Sequence, residues 1–148
     1  MKRILTLVLC ITTIIAAGQN LNYPYRVNFL SLDIEQQQVK MAYMDVPSSK
    51  PNGKAALLLH GKNFNGYFWK DVINFLIDNG YRVIVPDQEA RGRSDKPNIH
   101  YSFHLLAANT KKLLDTLGIK KISVVGHSMG GMLATRFALM FPQAKTHL

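Results

Sequence analysis

The apolar positions of this chain change their period from one stretch to the next. Val27-Asn28-Phe29-Leu30-Ser31-Leu32 and Val39-Lys40-Met41-Ala42-Tyr43-Met44 roughly alternate apolar and polar side chains. That period predicts two strands near an edge of a sheet, joined by a polar turn at Asp33 to Gln38. Pro47 to Gly53 is a loop by composition. Ala55-Ala56-Leu57-Leu58-Leu59 is continuously apolar, as in a strand covered on both faces. Trp69, Val72, Ile73, Phe75 and Leu76 follow at helical spacing, and Gly80 marks the stop. Tyr81 to Pro86 is another strand. Phe103, Leu106, Ala107, Thr110, Leu113, Leu114 and Leu117 form one face of a helix that Gly118 ends. Ile122 to Val125 is again strand-like, and a helix-like run starts at Met132. Alternation of strand and helix predicts an α/β fold, a mostly parallel sheet with helices on both faces. In such sheets, sites form beyond the carboxyl ends of the strands. The loops after Leu59, Pro86 and Val125 all fall there.

The first 18 residues carry a different pattern. Lys2 and Arg3 precede an apolar stretch from Ile4 to Ile15, and Ala16-Ala17-Gly18 supplies small residues. This is the layout of a secretory signal peptide cleaved before Gln19. The stretch is short of the ~20 residues that span a bilayer, so no stable membrane insertion is expected after cleavage. A secreted or periplasmic location follows. Cleavage leaves 130 residues of the 148, enough for one domain, residues 19–148. It removes Cys10, the single cysteine, so the mature chain forms no disulfide and depends on its core. The formal charge falls from +9 to +7. The basic residues are scattered, without aromatic interleaving, so nucleic acid is not an expected partner.

Chemistry concentrates in the three loops. Gly126-His127-Ser128-Met129-Gly130 fits Gly-x-Ser-x-Gly between a strand and a helix, and Gly131 follows. A serine on that turn has an exposed hydroxyl. Ser128 is the candidate nucleophile, and the backbone N–H of Met129 can donate to a developing oxyanion. Gly126 and Gly130 allow the tight turn, and Gly131 is expected to let the helix approach the sheet. His60-Gly61-Lys62 follows a buried strand, and the N–H of Lys62, less readily of Asn63, is the candidate second donor. Asp87 is expected to hold its own loop by hydrogen bonds. His60 is expected to order the loop after it, and His127 to pack beneath the turn. His100 and His104 are four apart, but no third metal ligand accompanies them. No metal is expected. The glycine-rich loops lack dinucleotide or phosphate-loop spacing, so no cofactor is expected either.

Together, His60-Gly61, then Asp87 with Gly92 and Ser94, then Gly126 to Gly131 resemble the α/β-hydrolase fold family. The likeness is to its serine-nucleophile esterases and carbon–carbon bond hydrolases. It covers the chain from about Val27 onward. The resemblance implies Ser128 as nucleophile and the N–H groups of Lys62 and Met129 as the oxyanion hole. The family's middle motif reads Asp-x-x-Gly-x-Gly-x-Ser, and Ala90 stands here at its first glycine. If that position needs a positive φ, Ala90 is strained.

The family's order is serine, then acid, then histidine. No Asp or Glu follows Ser128, and His147 follows Lys145-Thr146, where the family's sixth strand would begin. The expectation is the N-terminal part of an exported serine hydrolase acting on an ester or similar activated carbonyl of a small molecule. Alone it is expected to have little or no turnover. The strand Ile122 to Val125 should then have an open edge, with self-association as the liability. An acyltransferase is the alternative chemistry, since Gly-His-Ser-x-Gly also begins acyl-carrier transferase sites. A catalytically inactive remnant that only binds is the alternative of another class.

Overall fold

The computed structural model describes residues 22–147. The signal-peptide reading and Cys10 lie outside them. Six strands form one sheet: β1 (Val27–Ile34), β2 (Gln37–Val46), β3 (Ala55–Leu59), β4 (Arg82–Pro86), β5 (Ile122–Gly126) and β6 (Lys145–His147). Their order across the sheet is β1-β2-β4-β3-β5-β6. From β4 to β6 the pairs are parallel, while β2 meets both β1 and β4 antiparallel. A 3-10 turn over Gly66–Trp69 leads into α1 (Lys70–Asp78). The longer helices are α2 (Phe103–Thr116) and α3 (Met129–Met140).

Side chains alternate across the central strands, so the sheet has a core on each face. Met41, Leu57, Leu59, Ile84, Ile122 and Val124 pack with α2 and α3. Met44, Leu58, Val83 and Val85 pack on the other face with Trp69 and Ile73. Helices therefore cover both faces, as the alternating pattern predicts.

Three details differ from the sequence expectations. First, the β1–β2 hairpin is tighter than the polar turn at Asp33 to Gln38. The strands continue to Ile34 and from Gln37, leaving Glu35 and Gln36 with φ of 48° and 63°. Two residues at positive φ match the right-handed twist of the strands they join. Second, the apolar face of α1 is narrower than its spacing suggests. Ile73 is fully buried, but Phe75 is 67% exposed. Third, the edge of β5 is not wholly open. β6 pairs with it at Ile122 and Ser123, and exposure returns at Val125.

The crossing of α3 over β3 sets the geometry of the carboxyl edge. A β-carbon on Gly130 would overlap the carbonyl of Leu59, and one on Gly126 would overlap the carbonyl of Gly130. Gly131 is different. Its β-carbon would meet only the Gly126 oxygen, at an ordinary 3.7 Å. Gly130, not Gly131, lets the helix approach the sheet.

Substitution at these glycines separates the two roles. Gly131→Ala is expected to leave stability unchanged or raise it by up to ~1 kcal/mol, because alanine is the better helix former. Gly130→Ala must push α3 off β3 and is expected to cost about 3 kcal/mol or more, as overpacking against backbone does. Urea unfolding of the two variants measures the contrast.

Candidate active site

Ser128 sits at φ 53°, ψ −119°, a conformation that an L residue rarely adopts. Such strain costs on the order of 1–3 kcal/mol and persists only where the surroundings dictate it. Here they do. The N–H of His127 donates to the Leu59 carbonyl at 3.0 Å, extending the β3–β5 pairing to the turn. The N–H groups of Gly130 and Gly131 then donate to the carbonyls of His127 and Ser128, each at 2.9 Å. The chain reverses from strand to helix within three residues. The Ser128 side chain is exposed and does not cap α3.

The loop after β3 lies against this turn. A β-carbon on Gly61 would stand 3.3 Å from that of Ser128 and 3.1 Å from Nδ1 of His127. Two motifs about 65 residues apart in sequence thus share one place. The N–H groups of Lys62 and Met129 make no hydrogen bond among the described residues. Met129 opens α3, so its N–H is one of the helix's first, unpaired donors.

His60 is fully buried behind the loop. Its Nε2 accepts from the Gln88 N–H at 3.0 Å, and its Nδ1 lies 2.8 Å from the Gly61 carbonyl oxygen. An N–H can only donate, so Nε2 carries no proton and Nδ1 donates. Desolvation holds the imidazole pKa below its usual value, against the opposing pull of the Gly61 carbonyl and Asp87. His60 orders the loop, as expected from its position.

The His127 ring packs against the loop after β3, 4.9 Å from the ring of Phe68 and edge-on to Phe64 at 5.5 Å. Phe64 and Phe68 are themselves half-exposed and 4.6 Å apart. They form an aromatic wall that no motif announced. His100 and His104 are exposed on the α2 side. Ser102 caps α2 by accepting from the Leu105 N–H.

The loop after β4 is tied by Asp87, which is buried. Its carboxylate accepts from the Tyr23 hydroxyl at 2.6 Å, the Gly66 N–H at 2.6 Å and the Arg93 N–H at 2.7 Å. Burial, then that bond, drive the Tyr23 pKa far up, so its proton stays on the phenol. Asp87 is thereby committed to holding Tyr23 of the segment before β1, the β3 loop and its own loop together. Ala90 has φ 67°, the strained value that its place in the motif implied. Glu89 is buried, and one carboxyl oxygen accepts from Nδ2 of Asn109 at 2.7 Å. Burial pushes the Glu89 carboxyl pKa up. Arg91 reaches across to the carbonyl of Lys62 at 2.5 Å.

Among the described residues, no group of three His, Cys, Asp or Glu side chains is placed to hold a metal. Nor is any helix there long and apolar enough to cross a membrane.

Known proteins with this architecture place the chain. A family model described as the alpha/beta hydrolase fold matches residues 55–145. A solved structure, a probable hydrolytic enzyme from Pseudomonas aeruginosa, is 49% identical with a TM-score of 0.83. That match covers 85% of this chain and 41% of the other. Epoxide hydrolase 2 from Siraitia grosvenorii is 39% identical over 93 residues, covering 62% of this chain and 29% of its own length. A fluoroacetate dehalogenase from Burkholderia is 37% identical over 98 residues, covering 63% and 32%. The chain spans less than half the length of each of these relatives. The match over most of β3 to β6, on a sheet with a serine turn at its carboxyl edge, shows that this chain belongs to the α/β-hydrolase fold family.

Proposed function

We propose that this chain carries the nucleophile and oxyanion donors of an exported serine hydrolase acting on an ester or similarly activated carbonyl. The observation that carries the reading is Ser128 itself, at φ 53° on a turn packed against Gly61. In this reading Ser128 Oγ attacks the carbonyl carbon. The N–H groups of Lys62 and Met129 receive the developing oxyanion. The leaving alcohol departs with a proton, and water then cleaves the acyl-serine ester. The acid and the histidine that would move those protons are assigned to the part of the longer relatives that this chain does not span. Export rests on the pattern of residues 1–18.

Bond chemistry favours a carbonyl over the substrates named for two of the relatives. Attack of serine on an epoxide carbon or an alkyl halide gives an ether. Water does not cleave that bond under mild conditions, so the enzyme would stop after one event. Attack on a carbonyl gives an ester, which water does cleave. A serine at this turn therefore fits acyl chemistry.

His60 gives the reading its pH dependence. The Gly61 carbonyl accepts from His60 Nδ1 and from the Phe64 N–H at 3.1 Å. A trans peptide is planar, so fixing that oxygen also fixes the opposite direction of the Lys62 N–H. Protonating Nε2 would break its bond from Gln88. Because the folded pKa is lowered from 6.5, the unfolded chain binds the proton first as pH falls. Stability is therefore full above about 6.5 and declines below it.

Two measurements check these statements. With the product of the complete open reading frame and a p-nitrophenyl ester, mass spectrometry is expected to trap an acyl adduct on Ser128, and an epoxide is expected to leave none. Ester turnover that survives Ser128→Ala would remove the assignment. In urea unfolding between pH 7 and 5, the wild-type protein is expected to lose up to ~1.4 kcal/mol per pH unit more than His60→Asn. Parallel curves would show that His60 does not titrate on unfolding.

A further inference from the structure

The β4 loop accepts a strained alanine, and the strain aims one side chain. Ala90, at φ 67°, donates its N–H to the Asp95 carbonyl at 2.9 Å. The next N–H, of Arg91, donates to the Gln88 carbonyl at 2.9 Å. The turn pinned in this way directs the Arg91 guanidinium toward the β3 loop. Nε donates to the Lys62 carbonyl at 2.5 Å, and Nη1 donates to the Ala90 carbonyl at 2.9 Å. One rigid fork ties the β4 loop to the β3 loop, and the β3 loop lies against Ser128.

Lys62 is consequently held on both sides. The peptide before it, which contains its N–H, is fixed through the Gly61 carbonyl by His60 and Phe64. The peptide after it, which contains its carbonyl, is fixed by Arg91. Its own N–H makes no bond among the described residues. A donor held this way costs no reorganisation when charge develops in front of it. Guanidinium suits the task because it is permanently charged, planar and able to serve two carbonyls at once.

We infer that Arg91 is a positioning residue for the Lys62 oxyanion donor, acting through the Lys62 carbonyl. This rests on the reading of Ser128 and Lys62 given above. It adds a residue to that machinery, one supplied by the loop in which this chain departs from the family's glycine pattern.

The test uses the product of the complete open reading frame as wild type, Arg91→Ala and Arg91→Lys. Hydrogen exchange at the Phe64 amide reads the clamp without any turnover. It is expected to speed up about tenfold or more in Arg91→Ala and to recover partly in Arg91→Lys, which restores the charge and one donor. Acylation by a p-nitrophenyl ester is expected to fall about 10- to 100-fold in Arg91→Ala with KM within about threefold, in line with a displaced oxyanion donor. Unchanged exchange at Phe64 overturns the clamp, whether or not Ser128 acylates. Faster exchange with unchanged acylation overturns the positioning role. So does a loss in Arg91→Ala that Arg91→Lys does not relieve. If the wild-type protein forms no acyl-serine at all, the serine reading fails, and Phe64 exchange alone decides the clamp.

Discussion

Everything at the carboxyl edge of this sheet depends on how closely α3 crosses β3. Gly130 rests against the Leu59 carbonyl, and no side chain fits between them. That contact lets the chain turn from β5 into α3 within three residues. It also presses Ser128 into a backbone conformation that its own side chain disfavours. The cost, on the order of 1–3 kcal/mol, is offset by the pairing of β3 with β5 and by the burial of Leu133, Ala134 and Phe137 beneath the helix. A looser crossing would relax the serine and move it away from Gly61.

Around this crossing polar ties join the loops, beside the ring contacts of His127 with Phe64 and Phe68. Asp87 gathers donors from three segments, His60 links the β3 and β4 loops, and Arg91 links them a second time. Each tie uses a buried or half-buried group with at least one partner in another segment. Backbone N–H groups of Lys62 and Met129 remain without partners among the described residues. In the proposed reading, such ordered loops with unpaired donors would serve as a preorganised oxyanion site.

Much of this was legible in the residues. Strand and helix periods placed β3, α2 and β5 closely, because those elements are bounded by glycine or polar residues and buried on their apolar faces. Gly126 to Gly130 gave the serine turn, since its close contacts admit no β-carbon at two of the glycines. Other features were hidden for physical reasons. The Tyr23–Asp87 bond joins residues 64 apart, and no local pattern encodes it. The hairpin turn used Glu35 and Gln36 where glycine or asparagine would have signalled positive φ. Phe75 sits at core spacing on α1, yet faces outward, because periodicity cannot tell how wide a buried stripe is. The Arg91–Lys62 bond joins residues 29 apart, and no local pattern encodes it either.

The central claim is that the strained turn presents Ser128 as an acyl-accepting nucleophile. Site-mapped labelling by a fluorophosphonate tests it most directly, because phosphonylation needs an activated serine and reports the modified residue. The account predicts one adduct, on Ser128, that disappears in Ser128→Ala and is slowed by Gly130→Ala but not by Gly131→Ala. An adduct on another residue, or labelling of the product of the complete open reading frame that survives Ser128→Ala, would contradict it.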